Sequence, residues 1–135
     1  MNLTISSSQK NDGESSNIQV DAKGKLYNKN GTDYIVYDEP EGTGLEGTIT
    51  TVKVKDNQVT LIRSGQTGMK QVFLSGKQTQ SLYKTPYGSF PMEVQSEKVE
   101  IQRSTDGIKI RLKYNLNVAG QSVGQQTLSL NALKL

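Results

Sequence analysis

Arg63 is the residue whose type and placement say most about chemistry. Counting from the turn Asp56-Asn57 sets it on the strand face of Val59 and Leu61, across from Val52 and Val54. A guanidinium on a dry face needs a partner. Glu46 has the same parity one strand over, and Glu39 ends the run Tyr34-Ile35-Val36-Tyr37-Asp38-Glu39 at the same end. Two roles are open to the cluster. It is either an ion pair that closes one end of a sheet, or a cation that grips an anionic ligand group, bidentate toward carboxylate or phosphate. Tyr37, Tyr83, Tyr87 and Phe90 supply aromatic surface for a pocket, each Tyr with one polar handle; ordinary core packing is the plainer alternative. The candidate ligand-binding set is therefore Arg63, Glu46, Glu39, Tyr37, Tyr83, Tyr87 and Phe90. Glu39 and Glu46 as an acid/base pair would need unequal pKa values and a substrate between them, and the spacing supplies neither.

What the chain lacks narrows the chemistry further. It contains no His and no Cys, which removes Ser-His-Asp and Cys-His nucleophiles, imidazole acid/base work, the usual zinc ligand sets and disulfides. No catalytic residue, metal or cofactor is expected, and the protein reads as a non-enzyme. Met1 to Lys10 lack the apolar stretch of a secretory signal, and no window approaches a membrane-spanning helix; a cytoplasmic location without a membrane partner is expected. The net charge of +3 is uneven, residues 1–47 carrying four Lys against eight acids and the remainder twelve Lys or Arg against five. Lys109, Arg111, Lys113, Lys53 and Lys55 fall on wet strand faces. Their outward neighbours are Thr, Asn and Gln rather than the stacking platforms that single-stranded nucleic acid uses. Nucleic acid is thus not the expected partner.

The elements that must position these residues are strands. Three Ala stand against thirty-eight Val, Ile, Thr, Tyr and Phe, a balance that favours half-buried sheet over helix. Ile108 to Val118 alternates Ile, Ile, Leu, Tyr, Leu and Val with Lys, Arg, Lys, Asn and Asn, the period of a strand with one dry face. Shorter alternations run through Ile18–Ala22, Val52–Val54, Val59–Leu61, Phe90–Val94, Val99–Ile101 and Leu128–Ala132. Turn signals separate them at Asn30-Gly31, Asp56-Asn57, Ser75-Gly76, Asp106-Gly107 and Ala119-Gly120, and Thr85-Pro86-Tyr87-Gly88 reads as a tight turn.

Hairpin counting pairs Val54 with Val59, Val52 with Leu61, Thr50 with Arg63 and Glu46 with Thr67. Around Asp106-Gly107 it pairs Ile110 with Arg103, Leu112 with Ile101 and Tyr114 with Val99. Around Ala119-Gly120 the phases disagree, so a bulge is expected near Gly124. At 135 residues the chain suits one domain, an all-β, antiparallel up-and-down barrel of eight to ten strands, with residues 7–17 a polar loop behind a short first strand.

Gly44-Leu45-Glu46-Gly47-Thr48, Val59-Thr60-Leu61-Ile62-Arg63-Ser64-Gly65 and Tyr83-Lys84-Thr85-Pro86-Tyr87-Gly88-Ser89-Phe90, in this order and together with the Tyr34–Glu39 strand, carry a resemblance across roughly residues 16–130. The sequence resembles the bacterial YwiB-like family, whose fold is calycin-like, akin to lipocalins and fatty-acid-binding proteins. The resemblance implies an up-and-down barrel and, by analogy with calycins, a small-ligand pocket, and it brings no activity with it. The chain has no Trp, hence no Gly-x-Trp motif of lipocalins. It also lacks the Arg-x-Tyr pair of fatty-acid carriers, since Arg111 stands three residues from Tyr114. The expected function is to bind a small, partly apolar molecule, with an anionic group as one option, as a monomer or homodimer. The alternative is an interaction module whose basic outer strand face meets protein or RNA.

Overall fold

The computed structural model describes residues 2–11, 13–40 and 45–133. Ten strands occupy most of them: β1 Asn2–Asn11, β2 Glu14–Lys29, β3 Thr32–Asp38, β4 Thr48–Lys55, β5 Gln58–Gly65, β6 Met69–Phe73, β7 Gln78–Thr85, β8 Gly88–Ser104, β9 Gly107–Val118 and β10 Gln121–Leu133. They form a single antiparallel sheet in the order β6-β5-β4-β3-β2-β1-β10-β9-β8-β7. No helix occurs among the described residues. The expected up-and-down barrel is therefore the observed architecture, and it is nearly closed. At the seam between β6 and β7 one backbone bridge, Gly68 to Lys84, joins the two strands.

Side chains hold the rest of that seam. Gln71 on β6, 1% exposed, donates through Nε2 to Thr79 Oγ1 at 2.7 Å and to Val72 O at 3.0 Å. It also accepts from Ser81 Oγ at 2.6 Å. A buried amide thus replaces a missing stretch of ladder, which keeps its own polar atoms satisfied.

Val54 faces Val59, Val52 faces Leu61 and Thr50 faces Arg63, as expected. The ladder ends at Thr48–Gly65, however, so Glu46 and Thr67 do not pair. Gly47 (φ +79) and Gly65 (φ +121) bend the chain there. The β9–β10 irregularity falls between Ser122 and Gly124, where the bulge was expected. The β8–β9 register differs from expectation by two residues: the turn is Thr105-Asp106, so Ile101 faces Ile110 and Val99 faces Leu112. Gly107 is already in the ladder, opposite both Ser104 and Leu133, and a Cβ on it would run into the Ala132 carbonyl. A slip of two preserves the faces, and the inward assignment of β9 is unchanged. A second bulge at Glu97 breaks the β8 count between Ser96 and Lys98.

Residues 7–17 are not a loop. β1 continues to Asn11 and pairs with β2 from Ser7–Ile18 to Asn11–Glu14, turning at Gly13 (φ +82); Asp12 lies outside the described residues. The residues are polar because Ser15, Ser16 and Asn17 are exposed on an arm of the hairpin, so alternation carries no signal there.

The core fills one end of the barrel. Leu3, Ile35, Val52, Val54, Val59, Ile108, Ile110, Leu112 and Ala132 are all buried. Across this end Arg103 Nε on β8 meets Asp33 Oδ2 on β3 at 3.0 Å. Asn28 Nδ2 donates to the other Asp33 oxygen at 2.9 Å. The Asn28 amide first, and then Arg103, hold the Asp33 carboxyl below its ordinary pKa against the opposing effect of burial.

Candidate functional site

The opposite half of the barrel is hollow. A cavity of about 400 Å³ is lined by every strand except β4, within the range of small-molecule sites. Its walls are apolar: Ile5, Val20, Leu61, Met69, Phe73, Met92, Val94, Leu116, Val118, Leu128 and Leu130, with Ile18 and Leu45 where it opens. These are the inward positions of alternating strands, so the cavity is a product of pattern.

Polar groups enter this space at a few points. Arg63 lines it, as expected from parity, and so does Glu39. Their side chains are 20% and 5% exposed, and Arg63 Nε lies 4.0 Å from Glu39 Oε1. That distance is a charge contact and not a hydrogen bond, and Arg63 Nε is buried without a hydrogen-bond partner. Glu39 is held by Thr50 Oγ1, which donates to Oε1 at 2.6 Å. Tyr37, 5% exposed, stands beside the Glu39 and Thr50 side chains. Burial first, and then the Glu39 charge, push the Tyr37 phenol well above its ordinary pKa, with Arg63 pulling the other way. From the far wall Tyr114 feels Arg63 as well, and its phenol is also raised by burial. Its ring packs on Phe73 with centroids 4.9 Å apart.

Tyr37 and Tyr83 also line the cavity; Tyr87, Phe90 and Glu46 do not. Tyr87 is 94% exposed because it sits in the two-residue turn that joins β7 to β8. There Thr85 Oγ1 accepts from the Tyr87 backbone N–H at 3.1 Å. Phe90, 38% exposed, has the inward parity of Met92 and Val94 but stands on the part of the β7–β8 hairpin that runs past the barrel wall. Glu46 is exposed in the turn ahead of β4 and takes no part in the lining. The cluster that forms is thus Arg63, Glu39 and Tyr37, with Tyr83 higher on the wall.

Four polar lining residues were not among the candidates: Ser7, Gln71, Tyr114 and Gln126. Each shares parity with apolar inward neighbours, and a polar residue at such a position is the signal that finds them. Gln126, opposite Tyr114 in the β9–β10 ladder, has its Nε2 buried without a partner.

The raised phenols predict a pH dependence. Unfolded tyrosine ionises near pH 10, whereas Tyr37 and Tyr114 stay neutral in the fold, so their contribution is intact below about pH 10. It is lost above it, by up to about 1.4 kcal/mol per pH unit for each group. Denaturant unfolding across this range should show the fall, and the tyrosinate absorbance of these two should rise only with unfolding. Stability that stays level above about pH 10 would contradict the placement of both rings.

Among the described residues no group of three or more His, Cys, Asp or Glu is placed to hold a metal ion. Comparison with known proteins adds the following. The model of a family described as a domain of unknown function, DUF1934, matches residues 3–130. The "Uncharacterized beta-barrel protein YwiB" of Bacillus subtilis (strain 168) is 27% identical over 119 residues, 88% of this chain and 82% of its own. The crystal structure of the ywiB protein from Bacillus subtilis matches with a TM-score of 0.83 at 24% identity, covering 98% of this chain and 91% of that one. The resemblance read from the three sequence segments is thereby confirmed, as is the barrel fold.

Proposed function

Since the chain belongs to the DUF1934 family, whose relative above is described as a β-barrel protein, we propose that it is a non-enzymatic, calycin-like binding protein of the cytoplasm. It takes a small, partly apolar molecule into the hollow half of the barrel and holds that molecule's polar or anionic end at Arg63. The observation that carries this reading is the cavity itself: apolar walls around a few buried polar groups, with one cationic donor, Arg63 Nε, lacking a hydrogen-bond partner. A cavity kept for packing alone would have been filled, because voids of this size lose dispersion contacts that neighbouring side chains could restore.

The test uses N-phenyl-1-naphthylamine, an uncharged apolar fluorophore. The parent protein should give saturable, one-to-one enhancement. Leu128→Trp, which pushes an indole into the cavity from its wall, should weaken binding at least about tenfold with little change in melting temperature. Absence of saturable binding, or equal binding by the variant, rejects the reading. Native mass spectrometry of protein from its own host would then identify a retained molecule.

A second reading has one observation in its favour. Tyr27 and Tyr34 stack on the outer face with centroids 5.0 Å apart, and Lys53 lies 5.7 Å from the Tyr34 ring. This is an aromatic platform beside a lysine, of the kind an interaction module toward RNA would use. Salt-dependent binding of a single-stranded RNA, lost in Tyr34→Ala, would favour it.

A further inference from the structure

We infer that the molecule taken into the barrel presents an uncharged hydrogen-bond acceptor, a hydroxyl or carbonyl, to the polar groups in the cavity wall, and that Gln126 helps to select it. The inference rests on the small-molecule reading above and decides between the polar and the anionic end left open there. Arg63 and Glu39 enter together, one positive and one negative, at 4.0 Å, and the tyrosines beside them are neutral phenols. The cluster is therefore balanced before any ligand arrives.

An anion seated within reach of Arg63 is also close to Glu39. Attraction to one and repulsion from the other largely cancel, which leaves the desolvation of the anion uncompensated. A neutral acceptor meets no such opposition, and two donors wait for it. Arg63 Nε on β5 and Gln126 Nε2 on β10 are both buried in the cavity wall without a hydrogen-bond partner. Buried donors left in this state are uncommon and unfavourable, and a ligand oxygen relieves them without adding charge. Tyr114 links the two walls: it neighbours Gln126 in the ladder and lies within the field of Arg63. Selection against a charged head then follows from the desolvated site, as in other pockets that reject a ligand by leaving it uncompensated.

The experiment is competition against bound N-phenyl-1-naphthylamine with decanol, decanamide and decanoate, which share a chain and differ in the head. Decanol and decanamide should displace the probe at concentrations at least about tenfold lower than decanoate. Gln126→Leu, and the closer-shaped Gln126→Met, should narrow that difference by weakening the neutral heads alone. Decanoate equal to or better than the neutral heads overturns the inference. So does a difference that both Gln126 variants leave unchanged, and so does a probe that binds yet is displaced by none of the three. Failure of the probe itself to bind strikes the small-molecule reading instead.

Discussion

Leu112→Ala is expected to destabilise the barrel by about 2 to 5 kcal/mol. Leu112 is 2% exposed and stands in the ladder between Leu128 and Val99, packed in the core and not itself part of the cavity lining. Its truncation opens a new void among side chains that pack from all around, and the closed wall of strands cannot collapse far enough to fill it. Leu128→Ala provides the contrast. Leu128 already faces the cavity, so its loss enlarges an existing space and should fall at or below the lower end of that range. Urea unfolding of both variants measures the difference. A loss under about 0.5 kcal/mol for Leu112→Ala would mean that the inward face of β9 is misassigned.

Arg63→Met is the second large effect. The substitution preserves much of the side-chain volume but leaves the Glu39 carboxylate, 5% exposed, without its cation. Breaking one side of a fully buried pair costs about 3 to 5 kcal/mol. Arg63 is one-fifth exposed and its contact is loose at 4.0 Å, which brings the expectation to about 2 to 4 kcal/mol. Adding Glu39→Gln removes the stranded charge while an amide can still accept from Thr50, and should recover more than half of the loss. No recovery in the double variant would show that the two residues do not act as a pair.

How far the sequence carried these conclusions depends on the residue. β9 was legible end to end because Ile108 to Val118 alternates without a break, and Asp56-Asn57 set the β4–β5 register in which Thr50 faces Arg63. Arg63 followed by parity, Glu39 from its place at the end of the Tyr34–Glu39 run, and Tyr37 from its aromatic ring with a polar handle; Glu46, which shares the parity of Arg63, lies outside the cavity. Parity states which face a residue occupies; it does not state how far the barrel wall extends. Phe90 has the inward parity and lies outside for that reason, and Tyr87 belongs to a turn where parity has no meaning. The β1–β2 arm was missed because both its faces are polar, so the backbone ladder holds it with little help from an apolar face. Gln126 and Tyr114 could be placed inward, but that they share a space with Arg63 depends on closure, which brings β5 opposite β9 and β10. No local pattern encodes that curvature.

The pairing of β1 with β10 has a consequence for how the molecule comes together. Every other ladder joins strands adjacent in the chain, from hairpin turns as short as Asn30-Gly31 to the long arms of β8 and β9. The β1–β10 ladder pairs Asn2 with Leu133 and continues to Lys10 with Gln125. Hairpins can zip within microseconds, whereas joining these two strands closes a loop of nearly the whole chain, and the entropy of that closure must be met before any contact repays it. Contact order is therefore concentrated in this single ladder, and the main kinetic barrier belongs to it. Local zipping can assemble two curled half-sheets, β1 to β6 and β7 to β10, before β1 docks on β10 and fixes the curvature on which the cavity depends.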